Sequence, residues 1–126
     1  MQRFYLDQAA TSWPKRPEVL SAVTEFLQET GAAAGRGSYA SARISANWLD
    51  RARIAIAKLI HAPSPESIAL MSSGTHALNE ALGGSVQPGS HVIASAIEHN
   101  SVLRPLERMR QEGLIELDIV PCDHLG

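Results

Sequence analysis

The second half of the chain alternates short apolar runs with segments of helical period, and this alternation constrains the fold more than any other feature. The runs "SIALM" (67–71), "HVIASA" (91–96) and "LIELDIV" (114–120) read as buried strands bounded by turn residues. Between them, "THALNEALGG" (75–84) and "SVLRPLERMRQEG" (101–113) carry helical patterns. Apolar strands that alternate with helices predict an α/β architecture with a mostly parallel sheet.

Two amphipathic helices are predicted before this region. In "EVLSAVTEFLQETG" (18–31) apolar residues recur on one helical face, with Pro17 near the first turn and Gly31 just beyond the end. After the connector "GAAAGRGS", apolar residues recur at three- and four-residue steps from Ile44 to Ile60, until Pro63 stops the pattern. The predicted architecture is therefore N-terminal helices followed by alternating strands and helices.

Pro105 interrupts the last helical pattern, because proline lacks a backbone N–H and disturbs a helix interior. Two arrangements are compatible with it. Either a loose turn precedes a helix that begins near Pro105, or Pro105 lies in the first turn, where the missing N–H is tolerated.

Composition excludes several classes of protein. The net charge is −2, and the arginines are spread along helical stretches rather than gathered into a stripe, which argues against nucleic-acid binding. No apolar stretch approaches the roughly 20 residues that span a bilayer, and "MQRFYLDQ" lacks the apolar core of a secretory signal. The single cysteine, Cys122, excludes an internal disulfide and fits a reducing compartment. We therefore expect a cytoplasmic protein that binds neither nucleic acid nor a membrane.

The turn after the first predicted strand contains more small polar residues than a helix cap requires. It would lie at the carboxyl edge of the sheet and expose the free N–H groups of the next helix, at the positive end of the helix dipole. Gly74 would let the backbone approach a phosphate, and Ser73 and Thr75 could add hydroxyl donors. Two interpretations stay open: Ser72 or Ser73 merely caps the helix, or the turn binds an anion.

A second candidate site follows the next predicted strand, at the same edge of the sheet. Glu98 and His99 are adjacent, so in extended backbone their side chains point to opposite faces and would not readily bind one metal ion. We therefore predict no metal site. The imidazole of His99 could stack on an aromatic ring, or it could be hydrogen-bonded within its loop. An anion-binding turn and a flat ring at one edge suggest a phosphorylated aromatic cofactor.

Five ordered motifs resemble the N-terminal part of the pyridoxal-phosphate-dependent cysteine desulfurases, of the class V aminotransferase family: "YLDQAAT", "GRGSY", "SSGTHALN", "AIEHNSVLRPL" and "VPCDHLG". The resemblance covers essentially the whole chain. It implies a fold type I enzyme of which residues 1–126 form one incomplete α/β domain, part of the mostly parallel sheet of the large domain. Residues 1–62 would supply an extended segment and two helices, and residues 63–126 the cofactor-binding part.

The resemblance also implies a gap in the sheet. In the family, strands supplied by later sequence separate the first predicted strand (67–71) from the other two. In this chain alone, that strand would have no proper neighbour, and unpaired strand edges favour association, rearrangement or partial disorder.

For the site, the resemblance implies that Thr75 and His76 occupy the two places where the family binds the cofactor phosphate. His76 departs from the family's usual threonine, although an imidazole N–H could still donate. His99 matches the histidine that stacks on the pyridine ring and can assist proton transfer, so it is the catalytic candidate. The predicted pyridoxal 5'-phosphate contacts are Ser73, Gly74, Thr75, His76 and His99.

The implied reaction is that of a homodimeric enzyme of sulfur metabolism, which converts L-cysteine to L-alanine and leaves sulfur on an enzyme cysteine. The Schiff-base lysine and the nucleophilic cysteine come later in family members, and Lys15, Lys58 and Cys122 do not match their contexts. We therefore expect the chain alone to be inactive. The alternatives are selenocysteine lyase activity, another class V reaction, a noncatalytic remnant that binds a partner, and a nucleotide-binding module, for which the glycine-rich phosphate-loop pattern is missing.

Overall fold

A computed structural model describes residues 4–125 of the chain. Within it, the chain divides into two compact units, Met1–Ile68 and Ala69–Gly126. No helix in residues 4–125 combines the length and the apolarity that a membrane span requires.

The first unit begins its regular structure with helix α1, Pro17–Glu25, which continues into a π-helical turn, Phe26–Thr30. Gly31 ends this turn in the left-handed conformation, with φ of 52°, and its N–H donates to the carbonyl of Phe26 at 2.8 Å. The predicted helix is confirmed, including Pro17 in its first turn and Gly31 just beyond its end.

Helix α2, Ala40–Ile60, confirms the second amphipathic prediction and ends at His61, whose N–H donates to the carbonyl of Ala57. Two contacts connect α2 with the chain before it. The rings of Phe26 and Trp48 meet edge to face, with centroids 6.3 Å apart, and the buried Ser45 hydroxyl donates to the carbonyl of Ala32 at 2.6 Å.

The strand predicted over residues 67–71 is wrong. A short 3₁₀ turn, Pro65–Ser67, occupies its start, and the residues that follow form no strand and are mostly exposed. The carbonyl of Ile68 accepts a hydrogen bond from the Arg53 guanidinium at 3.3 Å, where a strand would use a neighbouring strand's N–H. The physical reason is that a strand needs a hydrogen-bonded neighbour, and no described segment pairs with this one.

The second unit contains helix α3 (Gly74–Ser85), strand β1 (Ser90–Ser95), helix α4 (Asn100–Gln111) and strand β2 (Ile115–Val120). The two strands pair in parallel, with Ser90 opposite Ile115 and Ser95 opposite Val120. Helix α3 and both strands are confirmed where the sequence predicts them, and α4 is confirmed as a helix but begins earlier than expected. Their order and the parallel pairing confirm the α/β fold class.

The core of the second unit is small and lies between α4 and the strands. Its buried members are Ala94, Leu106 and Ile115, and partly buried side chains from α3, α4 and both strands surround them. Leu106 is the largest fully buried side chain, only 1% exposed. This core positions the ends of β1 and α3, from which the predicted site residues project.

Both arrangements considered for Pro105 are wrong. Helix α4 begins at Asn100 and runs through Pro105, which therefore lies inside the helix. Because proline has no N–H, the carbonyl of Ser101, four residues earlier, receives no helical hydrogen bond from it. The side-chain amide of Asn79 in α3 donates to this carbonyl at 3.4 Å, which offsets the lost bond.

Hydrogen bonds within α4 lower the pKa of Glu107 to about 2. The larger contribution comes from Arg110 and the smaller one from Gln111. A carboxyl whose pKa is depressed by folding stabilises the helix at pH values above its usual pKa near 4.5, and this contribution is lost as the pH falls toward 2. We expect Arg110→Ala to raise the pKa of Glu107 more than Gln111→Ala does, measured by NMR titration of the carboxyl carbon. Equal values in both variants would contradict this order of causes.

Candidate functional site

Ser73 is the N-cap of α3. Its backbone is extended, with φ of −160° and ψ of 161°, and its hydroxyl accepts a hydrogen bond from the N–H of His76 at 3.1 Å. The capping interpretation therefore holds for Ser73, and such a cap contributes about 1 kcal/mol to stability. The anion-binding interpretation of the turn stays a prediction.

The start of α3 faces open space. Because the helix begins at Gly74, the N–H groups of Gly74 and Thr75 have no acceptor within the helix. A Cβ built on Gly74 would meet no atom within 4 Å, so the backbone at this residue is accessible to a ligand. The geometry and the helix dipole at this turn favour a negatively charged group.

His76 already has partners on α3. Its Nδ1 lies 3.2 Å from the hydroxyl of Ser72, its Nε2 lies 3.6 Å from a carboxylate oxygen of Glu80, and its N–H donates to Ser73. A phosphate contact from His76 would require one of these interactions to be exchanged. His76 therefore stays a predicted contact, and the geometry gives it less support than Thr75.

His99 is the N-cap of α4, at the carboxyl end of β1. Its Nδ1 accepts a hydrogen bond from the backbone N–H of Ser101 at 3.1 Å and lies 2.8 Å from the hydroxyl of the same residue. His99 is exposed, and because Nδ1 is hydrogen-bonded to Ser101, the second ring nitrogen, Nε2, is available to a ligand. The stacking role of His99 stays a prediction.

A cleft of about 260 Å³ in the second unit brings the two turns together. Thr75 from the start of α3 and His99 from the start of α4 both line it, whereas Ser73, Gly74 and His76 do not. Its complete lining is Thr75, Asn79, His99, Asn100, Ser101, Arg104 and Pro105. Of the predicted contacts, Thr75 and His99 are thus the two that share one cleft.

Five of the seven lining residues were not predicted as contacts: Asn79, Asn100, Ser101, Arg104 and Pro105. Arg104 brings a positive charge to the cleft and has no ion-pair partner among residues 4–125. One sequence signal could have found Ser101, namely its spacing of four residues before Pro105, which leaves the Ser101 carbonyl free to bond with another helix. Helical spacing then places Arg104 three residues later, on the same face.

The chemistry of the cleft fits a phosphorylated aromatic molecule in part. The hydroxyl and the free N–H of Thr75, together with the guanidinium of Arg104, are donors suited to an anion. The imidazole of His99 offers a flat face for an aromatic ring. The cleft volume of about 260 Å³ lies just below the roughly 300–1,000 Å³ of typical ligand pockets.

The predicted site residues lie neither in the larger apolar groove of the first unit nor in a cluster of metal-ligating side chains among the described residues. A larger apolar groove of about 470 Å³ lies in the first unit, between the α1 region and α2, and no predicted site residue lines it. Within residues 4–125, no group of three or more histidine, cysteine, aspartate or glutamate side chains is placed to hold a metal ion.

Comparisons with known proteins agree with the fold and with the motifs. The family model for class-V aminotransferases matches residues 4–126. The chain is 37% identical over 128 residues to the cysteine desulfurase IscS of Dictyoglomus turgidum and 30% identical over 146 residues to the selenocysteine lyase of Bos taurus. These alignments cover 97% and 99% of the chain but only 31% and 33% of the relatives. The chain therefore spans about a third of their length.

Solved structures give the same coverage. The apo cysteine desulfurase of Thermococcus onnurineus NA1 superposes with a TM-score of 0.78 at 24% identity, over 93% of this chain and 30% of that one. The cysteine desulfurase CsdA of Escherichia coli superposes with a TM-score of 0.69 at 27% identity, over 95% of this chain and 31% of that one. The first of these likenesses bears on the fold alone.

Proposed function

Because this chain belongs to the class-V aminotransferase family, we propose that it is the N-terminal part of a pyridoxal-phosphate-dependent, cysteine desulfurase-like enzyme. One observation carries the proposal: Thr75 and His99 follow two different turns of the α/β unit and line one cleft. The names of its relatives support the choice of reaction, since cysteine desulfurases are among those that match over nearly the whole chain.

In this proposal the chain supplies one wall of the cofactor site. The free N–H groups of Gly74 and Thr75, with the Thr75 hydroxyl, bind the phosphate. Ser73 holds the turn in place as the helix cap, and His76 contributes once its bond to Ser72 or Glu80 is exchanged. When bound, pyridoxal phosphate supplies an electron sink that labilises bonds around the α-carbon of an amino acid.

His99 has two roles in the proposal. Its ring stacks on the cofactor, and its Nε2 holds a proton at the edge of the cleft, because Nδ1 is occupied as an acceptor by Ser101. Stacking of two rings contributes about 0.5–1.5 kcal/mol beyond the area that they bury. His99 therefore both positions the cofactor and places an exchangeable proton near the substrate.

The proposed reaction converts L-cysteine to L-alanine, and the sulfur passes to the thiol of an enzyme cysteine as a persulfide. This reaction requires a lysine and a cysteine at the cofactor, and among residues 4–125 no lysine or cysteine lines the cleft. Lys15 and Lys58 lie in the first unit and do not line the cleft, and Cys122 follows β2 with its thiol 3.9 Å from the carbonyl of Val120. We accordingly propose that the chain by itself is inactive, and that the complete protein is a cytoplasmic homodimer.

A second candidate is selenocysteine lyase activity, which the match to the bovine enzyme of that name favours. The two reactions share the cofactor and differ in the chalcogen that is removed. A noncatalytic fragment that binds a partner remains the third candidate, since the chain spans only about a third of its relatives.

The proposal is tested by titrating the protein with pyridoxal phosphate in a calorimeter, with pyridoxal and ATP as comparison ligands. We expect saturable binding that is at least about tenfold tighter for pyridoxal phosphate than for pyridoxal, because each hydrogen bond to a charged group contributes roughly 1.5–3 kcal/mol. Borohydride followed by mass spectrometry should give no adduct that depends on the native fold. Preference for ATP would favour a nucleotide module, and absence of binding would favour the noncatalytic fragment.

A further inference from the structure

The hydrogen bonds at His99 do more than cap α4. Two donors of one residue, the backbone N–H and the hydroxyl of Ser101, converge on Nδ1 at 3.1 and 2.8 Å. A backbone N–H can only donate, so Nδ1 must carry its lone pair, and the proton of the neutral ring is assigned to Nε2. The contacts therefore select one tautomer and restrain the plane of the ring.

Ser101 is itself held in place from two sides. Its side chain is buried, with 6% of the residue exposed, while the neighbouring Asn100 is exposed. Its carbonyl, left free by Pro105, accepts the amide of Asn79 at 3.4 Å. The same Asn79 nitrogen donates to the carbonyl of Thr75 at 2.7 Å.

A continuous set of hydrogen bonds thus joins the two halves of the cleft. It runs from the Thr75 carbonyl to the Asn79 amide, from there to the Ser101 carbonyl, and from the Ser101 donors to the His99 ring. A cap by itself requires one acceptor at His99 and one backbone N–H. It does not require a buried hydroxyl on the same ring nitrogen.

We propose that Ser101 is a positioning residue for His99: its backbone N–H keeps the proton on Nε2, and its hydroxyl holds the ring toward the cleft that Thr75 also lines. This inference rests on the proposed function, in which His99 meets the cofactor ring. Ser101 acts only through His99 and is not a catalytic residue.

The test is ¹⁵N NMR of the histidine rings in the ligand-free protein, with the His99 signals assigned from His99→Gln. The unsubstituted protein should give a protonated Nε2 and a hydrogen-bonded acceptor Nδ1. In Ser101→Ala the Nδ1 resonance should move toward that of an unbonded acceptor nitrogen, because the hydroxyl is gone. Ser101→Thr should restore the original position, since it retains the hydroxyl.

Binding of pyridoxal phosphate gives the second readout. Ser101→Ala should weaken it by about two- to tenfold, the effect of one neutral hydrogen bond, and Ser101→Thr by less. Gln111→Ala is the control, because it removes an amide that donates to Glu107 within α4. If Ser101→Ala does not fold, the nearly isosteric pair Ser101→Thr and Ser101→Val replaces it, since the two differ in the hydroxyl.

The two hypotheses fail differently. A protonated Nδ1 in the unsubstituted protein, or an Nδ1 resonance that is the same in Ser101→Ala and Ser101→Val as in the unsubstituted protein, would overturn the role of Ser101. Such a result would leave the binding of pyridoxal phosphate intact. If the unsubstituted protein does not bind pyridoxal phosphate, the proposed function fails, and the positioning role fails with it.

Discussion

Leu106→Ala is expected to lower the free energy of unfolding of the second unit by about 2–5 kcal/mol. Leu106 is 1% exposed and packs with Ala94 and Ile115 in the only cluster of buried apolar side chains described in this unit. Truncation removes buried methyl groups and leaves a cavity, because the helix and the two strands around it cannot close the space fully. Leu106 is the largest fully buried side chain among the described residues.

The measurement must report on the second unit. Both tryptophans, Trp13 and Trp48, lie in the first unit, so tryptophan fluorescence reports on that unit. Amide hydrogen exchange of the paired residues of β1 and β2 follows the loss of the Leu106 core. Leu125→Ala is the matched control, since Leu125 is 83% exposed and its truncation should change stability by less than about 0.5 kcal/mol. Equal effects of the two substitutions would mean that Leu106 does not lie in a packed core.

Thr75→Val is expected to weaken the binding of pyridoxal phosphate by about 10- to 150-fold, which corresponds to one lost hydrogen bond to a charged phosphate. Valine has nearly the same shape as threonine, and residue 75 is exposed, so the substitution should leave α3 folded. The N–H of residue 75 is retained, which isolates the contribution of the hydroxyl.

Calorimetric titration checks this result, with Thr75→Ser as the matched control. Serine keeps the hydroxyl and should stay within a few-fold of the unsubstituted protein. Binding of pyridoxal, which has no phosphate, should be almost the same in both variants. If Thr75→Val binds pyridoxal phosphate as tightly as Thr75→Ser does, the hydroxyl does not contact the phosphate.

The sequence predicted those elements of the fold that local pattern determines. The two amphipathic helices, α3 and both observed strands lie where apolar spacing and turn residues indicate, since these signals act over a few neighbouring residues. The segment 67–71 has an equally apolar pattern but forms no strand. Its pattern describes a side-chain environment, whereas a strand also needs a backbone partner, and the described residues do not provide one.

The position of Pro105 depended on tertiary contacts in the same way. Helix rules place proline at a helix start, yet α4 extends five residues before it, because Asn79 of another helix satisfies the freed carbonyl of Ser101. Asn79 lies 22 residues before Ser101, so the local pattern around Pro105 does not indicate this partner. Tertiary hydrogen bonds here changed the boundary of a helix rather than its existence.

For the site, the sequence located the two turns but not the residues that connect them. The rule that ligands bind at the carboxyl ends of parallel strands holds for His99, which follows β1, whereas the strand predicted before Thr75 does not form. Both residues nevertheless line the cleft. Ser73 caps α3, and its contact with the cofactor stays a prediction. Ser101 and Arg104 were missed, since their contribution depends on how α3 and α4 pack together.

The amide of Asn79 has a consequence for ligand size. It donates to the Thr75 carbonyl within α3 and, at 3.4 Å, to the Ser101 carbonyl of α4, so it links the turn that carries Thr75 to the turn that carries His99. In the proposed function, the distance between these two turns determines how long a ligand can be between its anionic group and its aromatic ring. Analogues of pyridoxal phosphate with a longer link between the phosphate and the ring would then lose one of the two contacts. We therefore expect the packing of α3 against α4 to limit the length of the ligand.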